Sequence, residues 1–312
     1  MSTLITGSFA YDTIMVFQDQ FKNHILPDQV HILNVCFFVP EMRREFGGCS
    51  GNIAYNLHLL GDDALPMGTV GEDFAPYRKW LNKLGMNDNH VREIPDTYTA
   101  QAFLTTDIDN NQIIAFHPGA MNNAHESKVS DAPNVTLGIV APDGRDAMVQ
   151  HAEQFAAANI PFFFDPGQGL PMFDGDDLNR FIKQANYVVV NDYESEMMID
   201  KTGKTLAQIA QEVEALIVTR GAKGAEIFHN GNVAQIPSVS ISEAVDPTGC
   251  GDAFRSGLLY GVNHGWDWET SGRLASLMGG IKIEYHGTQN HKPSKAEIEA
   301  RFEKNFGTSI SL

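Results

Sequence analysis

The sequence predicts an α/β fold: a doubly wound, mostly parallel sheet flanked by helices, with a second, small β-sheet set apart from it. Three observations carry this reading. Short strands that are apolar throughout, such as Val188-Val189-Val190, indicate a parallel sheet covered on both faces. They alternate with amphipathic helical stretches, the pattern of βαβ units. Two non-contiguous blocks, 12–45 and 98–117, break the alternation and read as extended chain without helical period. At 312 residues and 43% hydrophobic content, the chain exceeds one ordinary core and falls short of two, which suits a large domain with a smaller appendage.

In chain order, the first strand is expected at 3–8, where Thr3-Leu4-Ile5-Thr6-Gly7-Ser8 is too short for the apolar stretch of a signal peptide and reads as a strand. Within the first irregular block, 30–35 and 36–39 read as extended. Helices follow at 51–60 and 74–84. The second block holds extended stretches at 99–106 and 112–116, joined by Asp109-Asn110-Asn111, residues that tolerate left-handed backbone. The two blocks are expected to pair as one small sheet. Strands at 136–140, 161–164, 187–190 and 215–219 then alternate with helices at 146–158 and 176–184. A hairpin at 224–229 and 232–236 turns at Asn230-Gly231, and two long helices end the chain. The division is therefore 1–11, 46–97 and 118–312 for the large domain, and 12–45 with 98–117 for the small one. No internal repeat, low-complexity tract or linker is evident.

The formal charge of −17 argues against nucleic acid or an anionic membrane as partner, since both need a basic face. A phosphorylated ligand remains compatible, because distant charge is screened within about 10 Å. The N-terminus lacks the basic region of a signal peptide, and no apolar run reaches the roughly 18 residues that span a bilayer. Cys36, Cys49 and Cys250 form neither an even framework nor a C-x-x-C pair. A reduced, cytoplasmic protein is expected.

The most informative segment is Asp246-Pro247-Thr248-Gly249-Cys250-Gly251-Asp252-Ala253-Phe254. A glycine-paired turn running into a helix points bare N–H groups at one spot, with Asp252 beside them. An anion cradle next to a carboxylate base suggests phosphoryl transfer to an alcohol. The plainer role is a tight turn with a favourable first-turn acid. Two details favour the cradle: Thr248 and both glycines are small, and the helix expected at 253–264 is apolar at Phe254, Leu258 and Leu259, so its start is fixed in a core. Cys250 sits inside the cradle, where flanking amides are expected to lower its thiol pKa and leave it modifiable when the site is empty.

In a doubly wound sheet, ligands gather beyond the carboxyl ends of the strands. Four further segments lie there: Gly7-Ser8 with Asp12, Asp165-Pro166-Gly167-Gln168, Asn191-Asp192-Tyr193-Glu194, and Thr219-Arg220-Gly221-Ala222-Lys223-Gly224. Asn191 and Glu194, at i and i+3, share a helical face and either cap a helix or hold a magnesium ion through water. Thr219, Gly221 and Gly224 either turn a hairpin or clasp phosphates or ribose; Lys223 reads as a surface lysine. Gly47-Gly48-Cys49-Ser50-Gly51-Asn52 is either a hinge or a substrate clamp, with Asn52 and the Gly48 amide on hydroxyls and Asp12 accepting from a diol. Two look-alikes fail. Gly203-Lys204-Thr205 lacks a P-loop glycine because position 198 is Met198, and Gly249-Cys250-Gly251 lacks the third dinucleotide glycine because position 254 is Phe254.

Together these motifs resemble the signatures of the ribokinase-like, or PfkB-type, carbohydrate kinases, and the resemblance covers nearly the whole chain. Asp246 to Phe254 looks like their second signature, Gly47-Gly48 through Asn52 like their first, Asn191 to Glu194 like their N-x-x-E magnesium motif, and Gly7-Ser8 with Asp12 like their substrate end. Phe116-His117-Pro118-Gly119-Ala120-Met121 and Phe164-Asp165-Pro166-Gly167-Gln168-Gly169 look more like bacterial nucleoside or adenosine kinases. Cys49 stands where ribokinases proper commonly carry a lysine.

The resemblance implies that the small sheet is a lid, and that the γ-phosphate of ATP passes to the 5′-hydroxyl of adenosine, inosine or a related purine nucleoside. A ribokinase-type or fructokinase-type sugar kinase is the alternative. Asp252 would be the base, with Gly249, Cys250 and Gly251 forming the anion hole. Asp12, Gly48, Asn52, Phe116 and Gln168 would bind substrate. Asn191 and Glu194 would organise Mg2+, and Thr219, Gly221 and Gly224 would line ATP. Asp246 with His286-Gly287-Thr288 would offer a site for a monovalent cation such as K+. Phe17, Phe38 and Phe116 on the lid would stack a base, a face that a free sugar lacks. The implied state is a monomer or a dimer paired through lids. A non-catalytic nucleoside sensor would show a broken turn, whereas Asp252, both glycines and Glu194 are present.

Overall fold

A computed structural model describes residues 2–25, 31–32, 34–109 and 111–312. The first half contains β1 (Ser2–Thr6), β2 (Ala10–Val16), β3 (Glu41–Gly47), α1 (Cys49–Leu60), β4 (Asp63–Val70), α2 (Ala75–Leu84), β5 (His90–Glu93), β6 (Ala100–Thr106) and β7 (Gln112–His117). Next come β8 (Val135–Val140), α3 (Arg145–Ala157), β9 (Phe162–Phe164), α4 (Gly175–Gln184), β10 (Tyr187–Asn191), α5 (Asp192–Thr202) and α6 (Leu206–Ala210). The last third holds β11 (Ala215–Thr219), β12 (Ala225–His229), β13 (Asn232–Ile236), α7 (Cys250–Asn263), α8 (Trp268–Ile283) and α9 (Lys295–Phe306).

Nine strands form the large sheet in the order β13-β12-β11-β10-β9-β8-β1-β4-β5. From β11 to β5 every pairing is parallel, and the hairpin β12–β13 adds two antiparallel strands at one edge. Apolar strands with both faces covered divide their residues by alternation. Ile5, Phe163, Val189 and Ile217 enter one core with Ile53 and Leu57 of α1 and Leu258 of α7. Leu4, Phe164, Val190 and Leu216 enter the other with Phe155, Phe181 and Met198 from α3, α4 and α5. The chain leaves β1 for β4 on one side and arrives at β8 on the other, so a crevice opens where the strand order reverses.

The small sheet runs β3-β2-β6-β7, with β2 and β6 parallel and the outer pairings antiparallel. It draws together the two blocks that the sequence marks as extended. β6 and β7 fall on the expected stretches 99–106 and 112–116, whereas the strands of the first block differ from those expected. Residues 31–32 form a 3-10 turn and 34–39 form no strand; Val30 and Leu33, and Asn110 of the predicted turn, lie outside the described residues. The strand is instead Glu41–Gly47, an edge whose Glu41, Arg43, Arg44 and Glu45 hide it from an apolar criterion and suit an edge that must not pair further. β2 begins at Ala10 and β3 ends at Gly47, so the sheet overlaps the large domain's expected share by two residues on each side.

Two strands of the large sheet, β4 and β5, go unpredicted. In β4, Pro66 and Gly68 argue against a strand, yet Gly68 is needed because a Cβ there would lie 2.6 Å from the Gly7 carbonyl oxygen. Three helices, α7, α8 and α9, follow the hairpin where two are expected. Among the described residues, no helix is long and apolar enough to cross a membrane.

Candidate active site

α7 starts beneath the crevice, and its N-terminus is built from the turn 246–251. Gly249 is the N-cap, with φ +78°, a left-handed backbone that glycine adopts without strain. A side chain there would also press on Thr288, 3.0 Å away. The first turn of a helix leaves N–H groups without partners. Among the described residues no hydrogen bond reaches the N–H of Gly249, Gly251 or Asp252, whereas the Cys250 N–H donates to the Pro247 carbonyl at 3.2 Å.

Asp252 stands beside these amides. α1 packs on α7 and brings Asn52, whose Nδ2 donates to Asp252 Oδ2 at 2.8 Å. Asn52 cannot turn over freely, because its Oδ1 accepts from Gln289 Nε2 at 3.0 Å. Gln289 Nε2 also donates to the Tyr77 hydroxyl at 2.6 Å, and its Oε1 accepts from Trp80 Nε1 at 3.0 Å. The Tyr77 hydroxyl in turn donates to the Gly47 carbonyl at 3.0 Å. A buried chain of bonds thus runs from the root of β3 to Asp252. Burial pushes the Asp252 carboxyl up to about 6, against the Asn52 bond and the Arg255 charge. Desolvation therefore outweighs the neighbours that favour the ionised form.

Arg255, one helical turn on, grips Asp165 at the end of β9 through two bonds, Nε to Oδ2 at 3.0 Å and Nη2 to Oδ1 at 2.9 Å. Both are buried, at 6% and 2% exposure, which makes this the fork geometry in which Arg–carboxylate pairs are strongest. Nη2 also lies 4.0 Å from Glu194 Oε2, and a Cβ on Gly251 would meet Nη1 at 2.9 Å, so the guanidinium sits directly under the turn. Burial opposes its charge, but Asp165, Glu194 and Asp252 hold its pKa up.

Asn191 and Glu194 form a reciprocal cap of α5. Asn191 Oδ1 accepts from the Glu194 N–H, and Glu194 Oε2 accepts from the Asn191 N–H, both at 2.8 Å. Asn191 Nδ2 also donates to Glu194 Oε1 at 2.8 Å. Burial and the neighbouring Asp165 raise the Glu194 pKa. Asn191 is in register with Thr219 on β11; Gly221 opens the 3-10 turn that follows and Gly224 caps its end. Lys223 is exposed.

Asp12 faces the root of β3 so closely that a Cβ on Gly47 would lie 2.6 Å from its Oδ2. Burial first, then Asp246 and Glu45, push its pKa up to about 6. It is partly exposed and suited to accept from a diol. Gly48, with φ +87°, caps α1 and approaches Ser8 and Ala10 so closely that only glycine fits. Gln168 is exposed in the turn after β9. Phe116 is 54% exposed on edge strand β7.

Two expectations are overturned. Phe17 is 5% exposed and packs on Phe21 and Phe37 with centroids 5.7 and 4.9 Å away. It is the small sheet's own core and offers no face to a base, whereas Phe38 is 82% exposed. The Cys250 thiol is not activated: burial pushes it up to about 11, and Asp246 and Asp252 add to the rise against Lys282. Its Sγ points at the Asp246 carbonyl, 3.8 Å away. Sequence reasoning also passes over Arg255, Gln289, Tyr77 and Lys282. Arg255 has a local signal, three residues after Asp252 on one helical face. Lys282 has one too, a lysine in line with Met278 and Ile281 on the buried side of α8.

A family model for pfkB family carbohydrate kinases matches residues 29–295. A nucleoside kinase of Methanocaldococcus jannaschii is 30% identical over 275 residues, which span 87% of this chain and 90% of that protein. Among solved structures, Burkholderia thailandensis nucleoside kinase in complex with inosine superposes with a TM-score of 0.90 at 56% identity, over 98% of this chain and 99% of that one. The same enzyme in complex with ADP-inosine gives a TM-score of 0.88 at 57% identity, over 99% and 97%.

Proposed function

The chain belongs to the pfkB family of carbohydrate kinases, and from that premise we propose that it is an ATP-dependent nucleoside kinase. It transfers the γ-phosphate to the 5′-hydroxyl of adenosine, inosine or a related purine nucleoside. The observation that carries the reaction is Asp252, a carboxylate with pKa pushed up to about 6, held beside the unpaired amides of Gly249, Gly251 and Asp252. The likeness to a nucleoside kinase solved with inosine supports the substrate. The three unpaired cysteines support a reduced, cytoplasmic setting.

Asp252 Oδ2 accepts from Asn52, which fixes the carboxylate to orient the 5′-hydroxyl and take its proton. Asp12 accepts from the ribose diol, and the second Nδ2 hydrogen of Asn52 and the Gly48 amide reach the same hydroxyls. The amides at the start of α7 face the charge on the transferring phosphoryl, where preorganised donors act most strongly. Phosphoryl transfer depends on positioning and charge stabilisation. The small sheet, which carries Asp12 on β2, therefore acts as a lid that closes to exclude water, with Phe116 and Gln168 bordering the nucleoside. Thr219, Gly221 and Gly224 line the ATP side.

Among the described residues, no group of three His, Cys, Asp or Glu side chains is gathered to hold a metal. Asn191 and Glu194 are tied to each other, with a lone pair left on each Glu194 oxygen. That set fits Mg2+ held through water rather than by direct ligands. When bound with ATP, the ion neutralises phosphate charge, and Glu194 would hold one of its waters. Asp252→Asn is expected to bind nucleoside almost normally by calorimetry and to lose at least about 10²-fold in turnover. Lost binding with preserved turnover would refute the role of Asp252.

A further inference from the structure

Lys282 is fully buried, at 0% exposure, although an unpaired ammonium in a protein interior is strongly unfavourable. Its Nζ donates to the Asp246 carbonyl at 2.6 Å and to the Tyr285 carbonyl at 3.2 Å. Burial lowers its pKa, and the Asp246 carboxylate works against that fall. The Asp246 carboxylate is itself committed: Oδ1 accepts from the Thr248 N–H at 2.9 Å and Oδ2 from the Gly287 N–H at 2.9 Å. Arg43 Nη2 stands 3.9 Å from Oδ2.

Asp246 and the loop at 286–288 are where the family resemblance implies a monovalent cation, and here they do not fit one. The main-chain oxygen of Asp246 is occupied by an ammonium, and both carboxylate oxygens meet N–H donors. A second cation would lie against Lys282 and Arg43 in a medium that screens poorly. Carbonyl oxygens converging on one positive charge are how proteins hold K+. The lysine ammonium is a compact point charge of the same kind, tethered to α8 by its own stem.

We propose that Lys282 is a built-in cation that replaces a monovalent metal ion beneath the turn 246–251. It holds the Asp246 carbonyl, fixes the turn that aims the Gly249, Gly251 and Asp252 amides, and makes turnover independent of monovalent cations. Lys282 touches no reacting atom and is a positioning residue. The inference rests on the kinase reading, so its test has a thermal arm that needs no activity.

Turnover and Tm are measured for the intact protein and for Lys282→Met in chloride salts of K+, Na+, NH4+ and tetramethylammonium at equal ionic strength. The intact protein is expected to vary by less than about twofold in turnover across the salts, with no K+-specific rise in Tm. Lys282→Met is expected to lose about 10²-fold or more in tetramethylammonium, to regain at least about tenfold in K+ or NH4+, and to gain Tm in those two salts alone. Stimulation of the intact protein several-fold by K+, or a K+-specific rise in its Tm, overturns the proposal. So does a folded Lys282→Met protein that no small cation restores or stabilises. An intact protein inactive in every salt refutes the kinase reading instead, and the Tm arm still decides the cation question.

Discussion

Replacing Asn52 by alanine removes a side-chain amide that donates to Asp252 at 2.8 Å, the only one among the described residues, and the acid limb of turnover should register it. A hydrogen bond to a charged group contributes about 1.5–3 kcal/mol, and one pKa unit corresponds to about 1.4 kcal/mol. Asp252 stands at about 6 with that bond in place. Without it, its pKa is expected to rise by about one to two units. The sign follows from its proposed role: a base works ionised, so a higher pKa moves the acid limb to higher pH. At pH 7 the ionised fraction falls from about 0.9 to between about 0.5 and 0.1, and the loss is recovered near pH 9. The assay is kcat against pH at saturating nucleoside, from the rate of ADP release. KM is not diagnostic, because Asn52 is also proposed to reach ribose. Gln289→Leu acts on the same bond indirectly by freeing the Asn52 amide to turn over, and should move the limb the same way by less. A limb that stays near pH 6 in both variants, with kcat lowered equally at every pH, would refute the tuning of Asp252 by this chain of bonds.

Arg255→Leu leaves Asp165 buried without its partner, and is expected to cost about 3–5 kcal/mol in urea unfolding. Adding Asp165→Leu should return part of that loss; strictly additive costs would show that the two do not act as a pair. Thiol labelling followed by peptide mapping should modify exposed Cys36 first and leave Cys250 unreacted near pH 7.5, with or without nucleotide. Fast, nucleotide-protected labelling of Cys250 would show that its thiol is activated after all.

What the sequence revealed follows the reach of each interaction. The turn 246–251 was legible because its chemistry is local, with two glycines, a carboxylate and a helix within nine residues. The Asn191–Glu194 pair was legible as a spacing with two readings, and the cap bonds now explain why that spacing recurs at a helix start. Strands β3 and β4 were hidden because edge charge and Pro66 with Gly68 break the apolar pattern on which strand recognition depends. Phe17 misled because aromatic identity does not say which face is covered, and Phe21 and Phe37 cover it. The partners of Asp252 were out of reach. Asn52 lies 200 residues before it, and Gln289 joins Asn52 across 237. Only the switch point beside β1 and the packing of α1 on α7 bring them together.

Phosphoryl transfer to a nucleoside 5′-hydroxyl is measured by supplying ATP and Mg2+ with adenosine, inosine, guanosine, cytidine, ribose and fructose at equal concentration, and locating the new phosphate by 31P–1H coupling. The purine nucleosides should be converted to 5′-monophosphates, with ribose and fructose turned over far more slowly. Phosphorylation of the free sugars alone would contradict the account and place the chain with the sugar kinases.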